Sequence, residues 1–173
     1  MKRSRSKVGL ALVALLSVAV PACSAGPAAT PPITPGTPAA PREVNIIARD
    51  YTFAPPAVDL APGETVLLHV VNGGLVVHEA IIGDVTVQDA WEAAEAAAAN
   101  PPPGPTPAVS VQPDAAGLRV IVESGQRADV TWTVPADAAG SWFVGCHIPG
   151  HWALGMVVPV RFVGADGRPL GSG

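Results

Sequence analysis

The chain has 173 residues, 10 basic and 14 acidic, for a formal charge of −4. All 14 acids but only 6 of the bases follow Cys23, so a chain processed there carries −8. Such a surface argues against nucleic acid as a partner and against a polybasic grip on anionic lipid.

Lys2, Arg3, Arg5 and Lys7 precede an apolar run, Val8 to Val20. A charged start followed by a run shorter than the roughly 20 residues of a membrane span predicts a signal peptide, residues 1–22. Val20-Pro21-Ala22-Cys23 resembles a bacterial lipobox, although Pro21 departs from it, and Cys23 is read as the lipidated first residue of an exported, membrane-anchored chain. The alternatives are plain cleavage beside Cys23, and a disulfide between Cys23 and Cys146, the two cysteines of the chain. Residues 23–42 read as a linker: from Ser24 to Pro41 there are six prolines and no charge, a composition that extends and reaches roughly 50 Å.

A folded domain is expected at 43–164. Val44 to Arg49, Thr65 to Val71, Val76 to Ile82, Leu118 to Glu123, Ala128 to Val134, Ser141 to Gly145 and Met156 to Val163 have strand length and β-branched content. Turn signals such as Ala61-Pro62-Gly63-Glu64 and Asn72-Gly73-Gly74 separate them. The spacing predicts an all-β protein, an antiparallel two-sheet sandwich or barrel with one core. An insertion at about 85–108 interrupts it: Val87 to Ala99 reads as an alanine-rich helix of about 20 Å, with Thr86 and Asp89 as capping box and Trp91 as anchor. A proline-rich return follows. Residues 165–173 read as a C-terminal tail.

The chemistry is concentrated in Gly145-Cys146-His147-Ile148-Pro149-Gly150-His151-Trp152-Ala153-Leu154-Gly155-Met156. Cys146, His151 and Met156 follow Cys-x4-His-x4-Met, and His78 stands in the apolar run Val76 to Ile82. One thiolate, two imidazoles and a weak thioether suit copper cycling between two oxidation states; zinc prefers four strong ligands and gains little from Met156. Side-chain alternation puts Trp142, Val144 and Cys146 on one face. Met156, Val158, Val160 and Phe162 share another, and His78 goes with Ala80 and Ile82. His147 then points away from Cys146, as a surface residue or one behind the site, and His69 should face solvent. Pro159 cannot donate a ladder bond, which predicts an edge or irregular strand there. A Cys146/His151 hydrolase dyad is the enzymatic alternative, but no orienting residue or oxyanion motif accompanies it.

Residues 145–156 resemble the ligand loop of the cupredoxins, the plastocyanin and azurin superfamily, and Asn72, six residues before His78, matches the plastocyanin pattern. The resemblance covers about Val44 to Val163. It implies a Greek-key sandwich and one mononuclear type 1 copper held by His78, Cys146, His151 and Met156. It also implies a monomeric, non-enzymatic electron carrier whose redox partner is another protein, such as a cytochrome or oxidase. Copper delivery or sequestration without redox turnover is the other functional reading. The electron port is expected at His151, among Ile148, Pro149, Trp152, Ala153 and Leu154, the alternative being that Trp152 packs inward and only completes the core. Glu79 is a departure: several members carry there an asparagine that helps hold the cysteine sulfur.

Overall fold

A computed structural model describes residues 31–99 and 109–171. The signal peptide, Cys23 and the Pro-rich return at 100–108 lie outside the described residues. Among the described residues no helix is long and apolar enough to cross a membrane.

Nine described strands form two sheets: β1 (Arg42–Arg49), β2 (Thr52–Ala54), β3 (Val58–Leu60), β4 (Thr65–Asn72), β5 (His78–Asp84), β6 (Leu118–Val122), β7 (Arg127–Thr133), β8 (Trp142–Gly145) and β9 (Val157–Phe162). One sheet has the order β2-β1-β4-β7 and the other β3-β9-β8-β5-β6. The chain crosses between sheets, so β1 runs parallel to β4 and β3 parallel to β9, while the other pairs are antiparallel. The architecture is the expected two-sheet β-sandwich with one inserted helix, but its sheets are mixed rather than purely antiparallel. Alternation sets what each strand buries: Val44, Ile46 and Ala48 of β1 and Val66, Leu68 and Val70 of β4 meet Ala80, Ile82, Val144, Val158, Val160 and Phe162 across the core.

β2 and β3 are three-residue strands that composition did not reveal. β3 explains Pro159. β9 is an interior strand of its sheet, but β3 pairs with it only from Val160 to Phe162, so at Pro159 the strand is locally an edge, as expected there. The missing N–H therefore breaks no bond to β3.

β5 is buried at every residue but Asp84, including both faces. Its outer face is covered by α1 (Val85–Ala99), where Ile81, Val87 and Trp91 form a small second core. The helix starts two residues before the expected point, and its cap is Asp84, whose Oδ1 accepts the Val87 N–H at 3.0 Å, not the Thr86/Asp89 box. Trp91 does anchor the helix: it is buried and its Nε1–H donates to the Ala116 carbonyl at 2.9 Å.

The domain is longer at both ends than 43–164. Residues 33–41, read as linker, are tied down by Ile33 N–H to Ala165 O (3.2 Å) and Thr65 N–H to Gly36 O (3.0 Å). Arg42 and the fully buried Glu64 reinforce this start. Burial alone would raise the Glu64 carboxyl, but Arg42 and the N–H groups of Ala61 and Gly36 outweigh it and hold it below the ordinary range. At the other end the tail folds back, with Leu170 N–H on Phe162 O at 2.8 Å and a bridge between Val163 and Pro169.

Candidate metal centre

Three elements of one sheet converge at one end of the sandwich. His78 opens β5, Cys146 follows the last residue of β8, and Met156 precedes β9. The loop between the last two is closed on itself: Cys146 N–H donates to Met156 O (3.1 Å), Met156 N–H to His151 O (3.1 Å) and His151 N–H to Ile148 O (2.9 Å). These bonds turn the His151 side chain back over the strand ends.

Donor atoms of His78, Cys146 and His151 all lie within 4.8 Å of one another, and all three residues are buried. His78 Nδ1 is 3.3 Å from His151 Nδ1, and Cys146 Sγ is 3.2 Å from the same nitrogen. Met156 is fully buried in the same core as Cys146. A small group of soft and borderline donors thus points at a common volume, which is what a transition-metal ion requires.

Burial pushes the Cys146 thiol up to about 11, against the pull of the Glu79 and Ile148 N–H groups aimed at its sulfur. The metal-free thiol therefore keeps its proton at neutral pH, and a cation must displace it. Burial and then the neighbouring His78 lower the basicity of His151, which favours the neutral, ligating imidazole. His151 is 8 % exposed against 1 % for His78, so it is the donor nearest solvent.

Two residues on the turn after β1 complete the surroundings, and no sequence pattern points to them. Tyr51 lies edge-on to His151 with ring centroids 4.7 Å apart. Asp50 Oδ1 is 2.7 Å from His78 Nε2. The Leu75 N–H and then His78 hold the Asp50 carboxyl below the usual range. Asn72 spans the same region: its amide donates to Val76 O and Val122 O, each at 2.8 Å, and accepts the Gly74 N–H.

The other side of the ligand strand is polar and fully engaged. His147 does point away from Cys146, but it is 1 % exposed rather than superficial. α1 receives it: Nδ1 is 2.8 Å from Glu92 Oε2 and Nε2 is 2.8 Å from Gln88 Oε1. Glu79 accepts the His147 N–H with Oε1 and pairs through Oε2 with Arg119. Arg119 also bonds Glu95 and stacks over Trp91 at 4.3 Å. At this departure from the family pattern, the backbone N–H of Glu79 faces the sulfur while its carboxylate serves the helix side.

The solved structures that the chain matches carry the same architecture. Auracyanin from Roseiflexus castenholzii matches with a TM-score of 0.53 at 18% identity, covering 70% of this chain and 97% of that one. Auracyanin A, a "blue" copper protein from Chloroflexus aurantiacus, matches at 0.53 and 23%, covering 69% and 97%. An azurin from Methylomonas sp. strain J matches at 0.51 and 16%, covering 71% and 98%. The chain has the cupredoxin fold. Among curated proteins, the copper-resistant cuproprotein CopI of Pseudomonas aeruginosa is 28% identical over 138 residues, covering 67% of this chain and 73% of that protein. No protein-family model matches.

Two expectations change within this fold. Trp152 does not belong to an exposed rim around His151: it is half-buried, stacks on His147 at 4.6 Å and 18°, and sits where a Cβ on Gly145 would collide with it. His69 does not face solvent freely. It leaves the core side of β4 but is covered by Asp129 (2.7 Å) and Arg127 (2.8 Å) from β7.

Proposed function

We propose that this chain binds one copper ion in a type 1 site made by His78, Cys146, His151 and Met156, and serves as an extracytoplasmic carrier of single electrons. The observation that carries the reading is the convergence of a thiol and two imidazoles within 4.8 Å in the buried end of a cupredoxin fold, with Met156 closing the same loop. Copper bound there supplies one-electron redox chemistry. The chain's own part is to hold the donors fixed, exclude water, and keep the Glu79 and Ile148 N–H groups on the sulfur. Four protein donors leave no open position for a substrate, which supports a carrier rather than an enzyme. His151, with exposed Leu154 on its own loop and exposed Leu75 on the turn that leads into His78, supplies an apolar approach for a redox partner protein. Export rests on the signal-peptide pattern, and anchoring on lipidation of Cys23.

Adding cupric ion to the purified domain should give an intense visible thiolate-to-copper band. A colourless or zinc-only protein overturns the reading. Cys23→Ser should release the chain to the soluble fraction and leave that band unchanged.

The similarity to a copper-resistant cuproprotein favours a second reading, copper delivery or sequestration without redox turnover. Slow electron self-exchange together with rapid loss of copper to a chelator would select it. Fast self-exchange with retained copper selects the carrier.

A further inference from the structure

His78 touches two groups with its two ring nitrogens. Nδ1 faces the donor cluster, 3.3 Å from His151 Nδ1, and Nε2 lies 2.7 Å from Asp50 Oδ1. Asp50 comes from 28 residues earlier in the chain, on the turn after β1. Its second oxygen accepts the Leu75 N–H at 2.8 Å, so the carboxylate is held at both oxygens. Gly74 makes the approach possible: a Cβ there would overlap Asp50 Oδ1 and stand 2.9 Å from His78 Nε2. The Asp50 side chain is 25% exposed and that of His78 1%, so the pair sits at the wall of the site, between the ligand and solvent.

We propose that Asp50 is a positioning residue for the metal: it fixes His78 as the Nε2–H tautomer, leaving the Nδ1 lone pair for the ion, and sets a negative charge one ring away that favours cupric over cuprous copper. The proposal rests on the copper reading given above. A neutral imidazole has one N–H and one lone pair, and an ionised carboxylate can only accept. The proton therefore sits on Nε2, and Nδ1 is left as an acceptor aimed at His151 and the cluster. A carboxylate on the far nitrogen also makes the ring a stronger donor. Its charge stabilises the higher oxidation state, with some screening from its exposed edge. A role limited to capping the turn through the Leu75 N–H would need the oxygen but not the charge.

The test compares wild type, Asp50→Asn and Asp50→Ala as full chains, metal-free and copper-loaded. Imidazole 15N shifts of the metal-free wild type should show His78 protonated at Nε2, and Asp50→Ala should lose that preference. With copper, Asp50→Asn should keep the visible band and shift the cuprous-over-cupric affinity ratio upward about tenfold, about 59 mV for a one-electron couple. Asp50→Glu should restore the wild-type potential. Should Asp50→Asn fail to fold, Gly74→Ala displaces the carboxylate from the ring and should raise the potential in the same direction. An Nδ1–H tautomer in the wild type, or wild-type potentials in both Asp50→Asn and Asp50→Ala, overturns the proposal. A wild type that stays colourless with copper ends the copper reading and the charge half with it, and the tautomer measurement still decides the positioning half.

Discussion

Cys146 and His147 are neighbours in the chain and face opposite sides of one sheet, and the two sides are built on opposite principles. On the Cys146 side, the donor atoms of His78, Cys146 and His151 find mainly one another at 3.2–3.3 Å. On the His147 side every group has a dedicated partner: Gln88 and Glu92 for the imidazole, Arg119 for Glu79 and Glu95. Among the described residues no buried side-chain polar atom lacks a hydrogen bond. Ligating atoms that face one another, rather than the mere presence of histidine, separate a place for an ion from a structural network. His147 therefore belongs to the fold, and the helix insertion is the element that receives it.

The largest break in this comparison comes from single substitutions on each side. Cys146→Ser should abolish the visible copper band outright while the apo domain still folds. His147→Ala should keep the band and lose about 1–3 kcal/mol of stability in urea unfolding, because Gln88 and Glu92 lose their buried partner. A bleached His147→Ala protein would mean that the two sides are one site.

Arg119→Ala attacks the structural side at its charge. It leaves the fully buried Glu79 carboxylate without its cation, and loss of one partner of a buried pair costs about 3–5 kcal/mol, with the lower end expected because the Arg119 side chain is 20% exposed. The copper band should survive in the fraction that stays folded. Unchanged urea midpoints would show that the helix side contributes little.

On the metal side, copper affinity should depend on pH through Cys146. Its thiol titrates at about 11, so across the neutral range it is protonated when metal-free and must release that proton on binding. Affinity should rise with pH, about tenfold or about 1.4 kcal/mol per unit, measured by chelator competition. A flat profile between pH 6 and 8 would show that the thiol is not a ligand.

Smaller effects lie further out. Leu154→Glu, on an exposed apolar side chain of the ligand loop, should slow transfer to a partner several-fold and leave the spectrum intact. Trp152, stacked on His147, should instead behave as part of the structural side, its substitution lowering stability before transfer rate. Smallest is Asp129, whose carboxyl is held at about 2 by Arg127 and then His69. Its stabilising contact is present above the ordinary carboxylate range and lost as pH falls through about 2, which carboxyl NMR titration would read directly. A midpoint near the ordinary value would dissolve that cluster on β7.

Some of this was legible in the residues alone. The Cys-x4-His-x4-Met spacing, the remote His78, seven of the nine described strands and the alternation that turns Cys146, Met156 and His78 inward follow from local periodicity, because a strand repeats every two residues whatever it packs against. The helix was legible from its alanines, but its cap was not: Thr86 and Asp89 carry a capping pattern beside the expected start, whereas Asp84 is also the last residue of β5. What tertiary structure alone decided are contacts between residues far apart in sequence. Asp50 meets His78 across 28 positions, Glu79 meets Arg119 across 40 and His147 meets Glu92 across 55. None has a period or a composition of its own, since each depends on where two strands, a turn or a helix end in space. Residues 33–41 carry linker composition and are nonetheless held, because backbone N–H and C=O groups bond whatever side chains they bear.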